Sequence, residues 1–564
     1  MGGWGRGGGG VGYTRPCMQR NGWKLWAAAG LSAGLLELPF PLAGPMPAWR
    51  GVFAWVGLAP LLWALMRATD AKRPLRLSFL LGYAAGFLWY CGNCYWVRDT
   101  MMRYGDMPPM APTLLLMGYS AVLGLYWGVF GLCVAQVRRA TGSVRWALAA
   151  APVVWVALEL AAARITSVPW DQLGYSQVDR GTANLLAPWT GVYGISFVLV
   201  AANALLASAF AKDGQPRGWK RWQWALVAIG AVLFTWGVTG IAGKPPEAPP
   251  TATAVLVQPN LDVGEDNNWN GPEWDKHFAQ FAQLAKQNCK TYLAGIPQTG
   301  AGTGEIVCPP WATYPDLVVW PESPAAFFEL DPRVKRSLAA VAQGTHAPLI
   351  VGGIGMEEDA EGGYRSYNSA LVIGADGERA GRYDKIHLVP FGEYVPFKNL
   401  LFFAHKLTGR VGEFNRGTER RVFRVNGHRY GVFICYEAVF ADEVREFAKN
   451  GAEVLVNISD DGWYGDTSAP WQHLNMARMR AIENRRWILR DTNNGVTAAI
   501  DPWGRVRQSI PRHAVDALPA QFGYRDEVTF YTAHGDVFAW LCGILAVGLV
   551  GWAVRARRKA GDQP

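Results

Sequence analysis

Long apolar runs without charged residues constrain the fold of this chain more than any other feature. They fill most of the first 240 positions, and one further run lies near the C-terminus. A transmembrane helix needs about 20 apolar residues to cross roughly 30 Å of hydrocarbon. The pattern predicts eight transmembrane helices, near residues 25–44, 51–66, 77–97, 112–135, 146–163, 191–211, 223–241 and 536–554.

The composition predicts a membrane part and a separate water-exposed part. The 564 residues are 50% hydrophobic and 18% charged, which is too apolar for an ordinary soluble chain. Residues 1–21 contain the low-complexity stretch MGGWGRGGGG and are predicted to be a disordered leader. The first apolar run is interpreted as an uncleaved helix and not as a signal peptide, because several further spans follow it.

Clusters of basic residues indicate the orientation of the predicted spans. They lie on one side, in the segments that flank the spans: Arg15, Arg20, Lys24; Arg67, Lys72, Arg73, Arg76; Arg138, Arg139, Arg145; Lys212, Arg217, Lys220, Arg221; and Arg555, Arg557, Arg558, Lys559. The positive-inside rule makes this side cytoplasmic, so residues 242–535 are predicted to lie across the membrane. The net charge of +9 is therefore split among loops and does not indicate a nucleic-acid partner.

Between residues 252 and 533, segments with strand and helix patterns alternate. The strand patterns include TATAVLVQ, DLVVW, APLIVGG and AEVLVNIS, and a turn is expected at Asn426-Gly427. Helices are expected near residues 274–286, 332–343, 442–449 and 471–486. This alternation predicts a layered α/β domain with helices covering the sheets.

Reactive side chains lie at three of the predicted strand ends. Glu322 follows DLVVW, Lys385 lies in GRYDKIHLVPFGE, and Cys435 ends GVFIC. Catalytic groups cluster at the carboxyl ends of strands in α/β domains. A thiol becomes a good nucleophile when a base removes its proton, and a lysine can stabilise the oxyanion that forms.

Each of these residues, and Glu393 at the end of GRYDKIHLVPFGE, also has a structural interpretation. Cys435 can pack in a core, Glu322 can begin a helix, Lys385 can be a solvated charge, and Glu393 can cap a turn. Cysteine–histidine chemistry with His387 is the main catalytic rival. No metal or other cofactor is expected, because the eight histidines form no ligand pair at helical spacing and the cysteines are scattered.

An ordered set of motifs resembles one enzyme family. WPES, YDKIHLVPFGEYVP, ICYE, NISDDGWYG, PWQHLNMARMRAIENRR and TNNGVTAAIDPWG, together with VPWDQLGYSQ after the fifth span, are similar to motifs of bacterial apolipoprotein N-acyltransferases. These are integral-membrane members of the nitrilase (carbon-nitrogen hydrolase) superfamily. The resemblance covers roughly residues 22–555.

The resemblance implies both a fold and an activity. The fold would be an eight-helix membrane bundle with seven spans in residues 22–243, an extracytoplasmic nitrilase-like αββα sandwich at 252–533, an eighth span at 536–554 and a cytoplasmic tail at 555–564. The activity would be acyl transfer from a membrane phospholipid to the N-terminal amine of a diacylglyceryl-cysteine apolipoprotein, through a thioester. This ping-pong reaction is the last step of lipoprotein maturation, in the bacterial inner membrane with the catalytic domain on the periplasmic side.

The resemblance also implies roles for individual residues. Cys435 matches the nucleophile, Glu322 the general base and Lys385 the oxyanion-stabilising lysine. The supporting positions are Glu393 as an additional acid, Tyr436 and Glu437 just beyond the nucleophile, and Trp463 as an aromatic residue beside the site.

Two further expectations concern the segments around the motifs. The apolar residues after Glu393 are expected to form a lipid-contacting arm, or else a helix packed in the core: Phe397, Leu400, Leu401, Phe402 and Phe403. Cys289 and Cys308 flank an apparent insertion and are expected to form a disulfide, the alternative being two free cysteines.

Other interpretations stay open at the level of sequence. A membrane-tethered hydrolase would share the three reactive residues but use water as acceptor, whereas a transporter would leave those residues unexplained. Cys91 and Cys94 form a CxxC pair that is either structural or redox-active. Glu37 and Glu159 lie in or near predicted spans, where acids are functional by default, but the sequence assigns them no role.

Overall fold

The computed structural model describes residues 22–105, 108–211, 220–243, 246–263, 272–287, 314–322, 327–359, 362–390, 392–394 and 414–561. Helices form the first part of the chain and its end, and two sheets with flanking helices form the part between them. The helices of the first part and the last helix are α1 (Gly22–Glu37), α2 (Ala59–Ala68), α3 (Pro74–Asn93), α4 (Trp96–Tyr104), α5 (Met110–Thr141), α6 (Val144–Ala161), α7 (Gly181–Thr190), α8 (Val192–Phe210), α9 (Arg221–Ala242) and α15 (Val537–Gly561).

Within the described ranges, six helical segments are long and apolar enough to cross a membrane: Ala48–Ala68, Met110–Thr141, Val144–Thr166, Val192–Phe210, Arg221–Ala242 and Val537–Lys559. The last two are the least buried, with 11% and 22% of their most apolar stretch covered by protein. These two helices therefore lie at the periphery of the bundle.

Two predicted spans, 25–44 and 77–97, are not among the six, and their predicted ends are wrong. Helix α1 has 16 residues and ends at Glu37, because the following LPFPLAGPMP stretch contains prolines that cannot continue a helix. At 1.5 Å per residue it is about 24 Å long. Helix α3 ends at Asn93, and the chain then begins the separate helix α4.

Helices α3 and α5 approach each other closely because glycines line their contact. A side-chain carbon at Gly82 would lie 2.2 Å from the backbone oxygen of Trp127, and one at Gly131 would lie 2.3 Å from that of Ser78. Small residues commonly permit such backbone approach between membrane helices. The close contact packs α3 directly against α5.

Twelve strands are described between the helical parts. Their bounds are β1 (Ala252–Gln258), β2 (Leu317–Trp320), β3 (Leu349–Glu358), β4 (Tyr364–Ile373), β5 (Arg379–Asp384), β6 (Val422–Val425), β7 (His428–Ile434), β8 (Val454–Ser459), β9 (Trp487–Thr492), β10 (Thr497–Ile500), β11 (Val506–Ile510) and β12 (Asp516–Phe522). The accompanying helices are α10 (Pro272–Gln287), α11 (Pro332–Thr345), α12 (Ala441–Lys449), α13 (Ala469–Asn484) and α14 (Phe530–His534).

The strands form two six-stranded sheets with related topologies. Their orders are β12-β1-β2-β3-β4-β5 and β11-β10-β9-β8-β7-β6. In each sheet three neighbouring strands are parallel, β1-β2-β3 and β7-β8-β9, and the flanking pairs are antiparallel. The β6–β7 turn has positive φ at Asn426 and Gly427, as the Asn-Gly pair predicts.

The period-2 alternation of β1 shows how the layers pack. Ala254 and Leu256 face the second sheet in the core between the sheets, whereas Val255 and Val257 pack against α10 and α11. Because both faces of the strand are buried, its sequence is a continuous apolar run and does not alternate between apolar and polar residues. The predicted α/β domain with helices over the sheets is therefore confirmed.

Candidate active site

Cys435 lies directly after β7, in a conformation that non-glycine residues rarely adopt. Its φ is +49°, in the left-handed region, and it begins the 3-10 turn Cys435–Val439. Such strain persists only where the surrounding structure enforces it, and it is common at functional sites. The sharp turn sets Cys435 at the end of the strand, as the motif ICYE predicts.

Lys385, Glu322 and Glu393 form a buried ionic group with Asn368. The ammonium of Lys385 donates to Glu322 Oε1 at 3.0 Å and to Glu393 Oε1 at 2.8 Å. The Asn368 amide donates to the same two oxygens, at 2.7 Å and 2.6 Å. The second oxygen of Glu322 accepts the backbone N–H of Asp460 at 2.9 Å, and that of Glu393 accepts another backbone N–H at 2.7 Å. All four carboxylate oxygens have donors, as buried charges require.

The Lys385 side chain is only 1% exposed, yet it stays charged. Burial lowers the pKa of Lys385, but the charges of Glu322 and Glu393 raise it, and the result lies well above the usual value. An ammonium carries three N–H donors, and two of them bind the glutamates. Among the residues that the structure describes, the third has no partner, so it is available to an anion that develops in the site.

The Cys435 thiol is buried and protonated at rest. Burial and the negative charge of Glu322 raise the pKa of Cys435 well above the usual value, while Lys385 acts in the opposite direction. Because the thiolate is the nucleophilic form, this thiol needs a base at the moment of reaction. Glu322 and Lys385 both lie near enough to act electrostatically on it.

Glu437 fixes the turn around the nucleophile. Its carboxylate accepts the backbone N–H groups of Ile434 at 2.7 Å, Ile386 at 2.7 Å and His387 at 3.1 Å. It also accepts the hydroxyl of Tyr383 at 2.8 Å. These contacts tie the end of β7 to the segment after β5 that carries the lysine, so Glu437 acts as a positioning residue.

Asp460, directly after β8, is a site residue to which the sequence reasoning gave no role. Besides binding Glu322 through its backbone N–H, it accepts Gly462 N–H at 3.0 Å and the Asn493 amide at 3.2 Å. Burial, together with the charge of Glu322, raises the pKa of Asp460 to about 8. The sequence contains one signal for Asp460. It begins the acid pair that ends NISDD, and this pair directly follows a predicted strand, as Glu322 does.

Asp461 supports the nucleophile from the other side through a histidine. Its carboxylate pairs with Arg490 at 2.7 Å and contacts His473 Nδ1 at 3.0 Å, and all three side chains are buried. The other ring nitrogen of His473 contacts the backbone oxygen of Cys435 at 2.9 Å. These residues are far from Cys435 along the sequence, yet together they hold its strained backbone in place. Their spacing along the chain did not indicate this contact.

Aromatic residues connect this site to the helical part of the chain. The ring of Tyr436 stacks on Trp170 with centroids 6.4 Å apart, and Trp463 meets Tyr104 edge to face at 5.0 Å. The Trp170 indole N–H donates to Gln472 at 2.9 Å. The motif VPWDQLGYSQ thus packs directly beside the candidate active site.

The contacts of the His387 ring do not support a role as catalytic base. Its ring stacks on Phe440 at 4.1 Å, and its Nε2 lies 3.2 Å from a Glu443 oxygen. Although burial opposes it, His387 and Arg420 lower the pKa of Glu443 to about 2. The histidine therefore belongs to a separate contact with Glu443 on α12.

The remaining sequence expectations have different outcomes. Cys91 and Cys94 are free thiols. Among the residues that the structure describes, no group of three or more His, Cys, Asp or Glu is arranged to hold a metal ion. The proposed lipid-contacting arm and the proposed Cys289–Cys308 disulfide lie outside the described residues, so both stay predictions.

Two family models match the chain. The model of the apolipoprotein N-acyltransferase N-terminal domain matches residues 32–205, and that of carbon-nitrogen hydrolase matches residues 254–515. The two matches cover the helical part and the two-sheet part respectively.

Curated relatives match over nearly the whole length. An apolipoprotein N-acyltransferase of Geobacter metallireducens is 33% identical over 94% of this chain and 95% of its own. One of Azotobacter vinelandii is 31% identical over 97% of this chain and 98% of its own. Among solved structures, a Saccharomyces cerevisiae member of branch 10 of the nitrilase superfamily is 18% identical, with a TM-score of 0.35, over 51% of this chain and 97% of its own.

Proposed function

The chain belongs to the apolipoprotein N-acyltransferase family, as an enzyme of the nitrilase superfamily. From this membership we propose that it transfers an acyl chain from a membrane phospholipid to the N-terminal amine of a diacylglyceryl-cysteine apolipoprotein. The single observation that carries the mechanism is the cluster of Cys435, Glu322 and Lys385 at three strand ends.

In the first half-reaction the Cys435 thiol attacks the phospholipid ester. Glu322 takes the thiol proton as the sulfur–carbon bond forms, because burial keeps the resting thiol protonated. The free N–H of Lys385 stabilises the oxyanion. The carbon–oxygen bond then breaks, Glu322 returns the proton to the leaving lysophospholipid, and a thioester remains on the cysteine.

In the second half-reaction the lipoprotein amine attacks this thioester. Glu322 accepts a proton from the amine, Lys385 again stabilises the oxyanion, and the carbon–sulfur bond breaks. Glu322 then returns the proton to the Cys435 thiolate, so the amide is formed and the enzyme is regenerated. No metal or nucleotide takes part in either half-reaction.

We also propose the membrane arrangement that the sequence predicts. The chain would cross the bacterial inner membrane eight times, with the sandwich domain at residues 252–533 on the periplasmic side. The basic loops support this orientation. Contacts such as Trp170 with Tyr436 support a site next to the bilayer, where acyl chains need not enter water at a cost of about 0.8 kcal/mol per methylene.

Mass spectrometry of the full-length enzyme tests this function. Incubation with phospholipid should add the mass of one fatty acyl chain to the peptide that contains Cys435, and a diacylglyceryl peptide with a free amine should then remove it as an amide. A Cys435→Ser enzyme is the matched control and should stay unmodified. Release of free fatty acid at the same rate with and without the peptide would identify a hydrolase instead.

A further inference from the structure

A small cavity with aromatic walls lies between α3, α5, α6 and the loop that carries Trp170. It is called the aromatic cavity and is lined chiefly by Trp89, Tyr126, Trp127, Trp155, Trp170 and Asp171. Its volume is about 50 Å³. A space of this size admits a water molecule or a small polar group.

Two acids line the aromatic cavity without full sets of partners. Asp171 is 2% exposed, and neither of its carboxyl oxygens has a hydrogen-bond partner among the described residues. Glu159 Oε1 accepts the N–H groups of Trp155 and Leu173, each at 2.9 Å, but its Oε2 has none within the described ranges. Burial raises the pKa of Asp171 to about 8, as expected for a carboxyl group without a cation beside it.

The surrounding side chains do not supply the missing donors. The indole N–H of Trp89 binds a backbone oxygen, and that of Trp170 binds Gln472. The amide of Asn93 lies close to Asp171, but its Nδ2 makes no hydrogen bond within the described part of the chain. None of the described residues that line the cavity is Lys, Arg or His. Glu37, within electrostatic range of Asp171, adds a further acid.

We propose that the aromatic cavity is a subsite for the primary ammonium group of a substrate, with Asp171 as its carboxylate partner. An ammonium group offers three donors to the unpartnered oxygens of Asp171 and Glu159, and aromatic faces attract cations. This inference rests on the proposed function and deepens it. Two substrates of that reaction can carry such a group: a donor with an ethanolamine-type headgroup and the acceptor amine.

The position of the aromatic cavity favours the donor headgroup. Trp170 lies between the cavity and Tyr436, which directly follows Cys435. An amine that attacks the thioester must come within about 3–3.5 Å of it, so an amine held behind Trp170 is too far away to react. A headgroup amine lies several bonds from the ester under attack and fits this separation.

Rapid-mixing kinetics with the full-length enzyme separate the two sources. The thioester at Cys435 is formed from phosphatidylethanolamine or phosphatidylglycerol, each with the same palmitoyl and oleoyl chains and presented in mixed micelles with detergent. It is then discharged with a diacylglyceryl peptide. The variants are Asp171→Asn and Glu159→Gln. The control is Asp70→Asn, an exposed acid beyond the opposite end of α3.

For a headgroup subsite, Asp171→Asn should lower the ratio of thioester formation from phosphatidylethanolamine to that from phosphatidylglycerol at least tenfold. For an acceptor subsite, it should leave this ratio unchanged and slow discharge by the peptide at least tenfold. Glu159→Gln should act in the same direction with a smaller change. Because the ratio compares two donors in one preparation, partial misfolding does not alter it.

The subsite would be overturned if Asp171→Asn left both the phosphatidylethanolamine-to-phosphatidylglycerol ratio and the rate of discharge by the peptide at their wild-type values. An equal loss in thioester formation from each phospholipid and in discharge would also overturn it. The proposed function fails separately, namely if the wild-type enzyme forms no thioester from either phospholipid.

Discussion

Buried acids have opposite surroundings in two neighbouring regions of this enzyme. At the strand-end site, which comprises Cys435, Glu322, Lys385, Glu393 and Asn368, every glutamate oxygen has a donor and the lysine supplies positive charge. In the aromatic cavity, three carboxyl oxygens lack donors among the described residues and no basic side chain lines the wall. One region is electrostatically complete before substrate arrives, and the other is not.

The difference separates a reaction centre from a recognition site. A preorganised centre must have its charges fixed before the reaction, because reorganisation during the reaction would add to the barrier. A recognition site gains affinity when the ligand supplies the donors that the protein lacks. Substitutions in the two regions should therefore differ in both the size and the sign of their effects.

The largest effect should come from the nucleophile. Cys435→Ser should lower acyl transfer about a thousandfold or more, because the hydroxyl is a far weaker nucleophile beside the same base. The thermal unfolding midpoint should change little, since the replacement is nearly isosteric. Lipoprotein acylation by this variant at a rate near that of the wild type would remove the distinction between the two regions.

Loss of the base should be next in size. Glu322→Gln keeps the shape of the side chain but cannot accept a proton, so thioester formation should slow about a hundredfold or more. Glu393→Gln is the matched control, because it removes the same charge beside the same lysine. It should slow thioester formation less than Glu322→Gln, and the reverse order would reassign the base to Glu393.

Removal of the Lys385 ammonium tests how much its ion pairs with Glu322 and Glu393 contribute to the stability of the folded protein. Lys385→Ala leaves two buried glutamates without their cation and should lower the free energy of unfolding by about 3–5 kcal/mol. Lys449→Ala, which removes an exposed lysine paired with Glu446 on α12, should change it by less than about 0.5 kcal/mol. Denaturation of both variants in detergent provides the measurement, and equal midpoints would contradict the comparison.

A smaller, pH-dependent effect is expected from Asp460. Its pKa is about 8 in the folded protein, against 3.8 for an unperturbed aspartate, so the folded state binds the proton more tightly. Its contribution to stability is complete below about pH 4 and is lost as the pH rises through 8, with a slope of at most about 1.4 kcal/mol per pH unit. Asp460→Asn should therefore match the wild-type melting temperature near pH 4, exceed it at pH 6 and exceed it by more at pH 8. A difference independent of pH would exclude this titration.

The smallest effect on stability should come from the aromatic cavity, with the opposite sign to Lys385→Ala. Asp171→Asn removes a buried acid that has no cation, so the free energy of unfolding should stay equal or rise by up to about 1 kcal/mol. Thermal unfolding of this variant beside Asp70→Asn measures the change. A loss of more than about 2 kcal/mol would mean that Asp171 has a partner on which folding depends.

The sequence was sufficient for much of the candidate active site because the relevant signals are local. Cys435 and Glu322 each follow a short apolar strand and Lys385 directly follows β5, and the structure brings the three residues together at strand ends. The predicted helices near 332–343 and 442–449 correspond to α11 and α12. The predicted end of the first span was wrong, because hydropathy alone does not register the prolines that end α1.

By itself, then, the sequence determined the apolar helices, the alternating strands and helices, and the reactive residue at each strand end. These depend on spacing over a few residues, which the chain displays directly. Only the tertiary structure decided that Asn368 bridges both glutamates, that His473 holds the backbone of Cys435, and that Asp171 lies in an aromatic cavity. Such contacts join residues far apart along the chain, and the packing of helices against sheets, not local periodicity, sets which side chains meet.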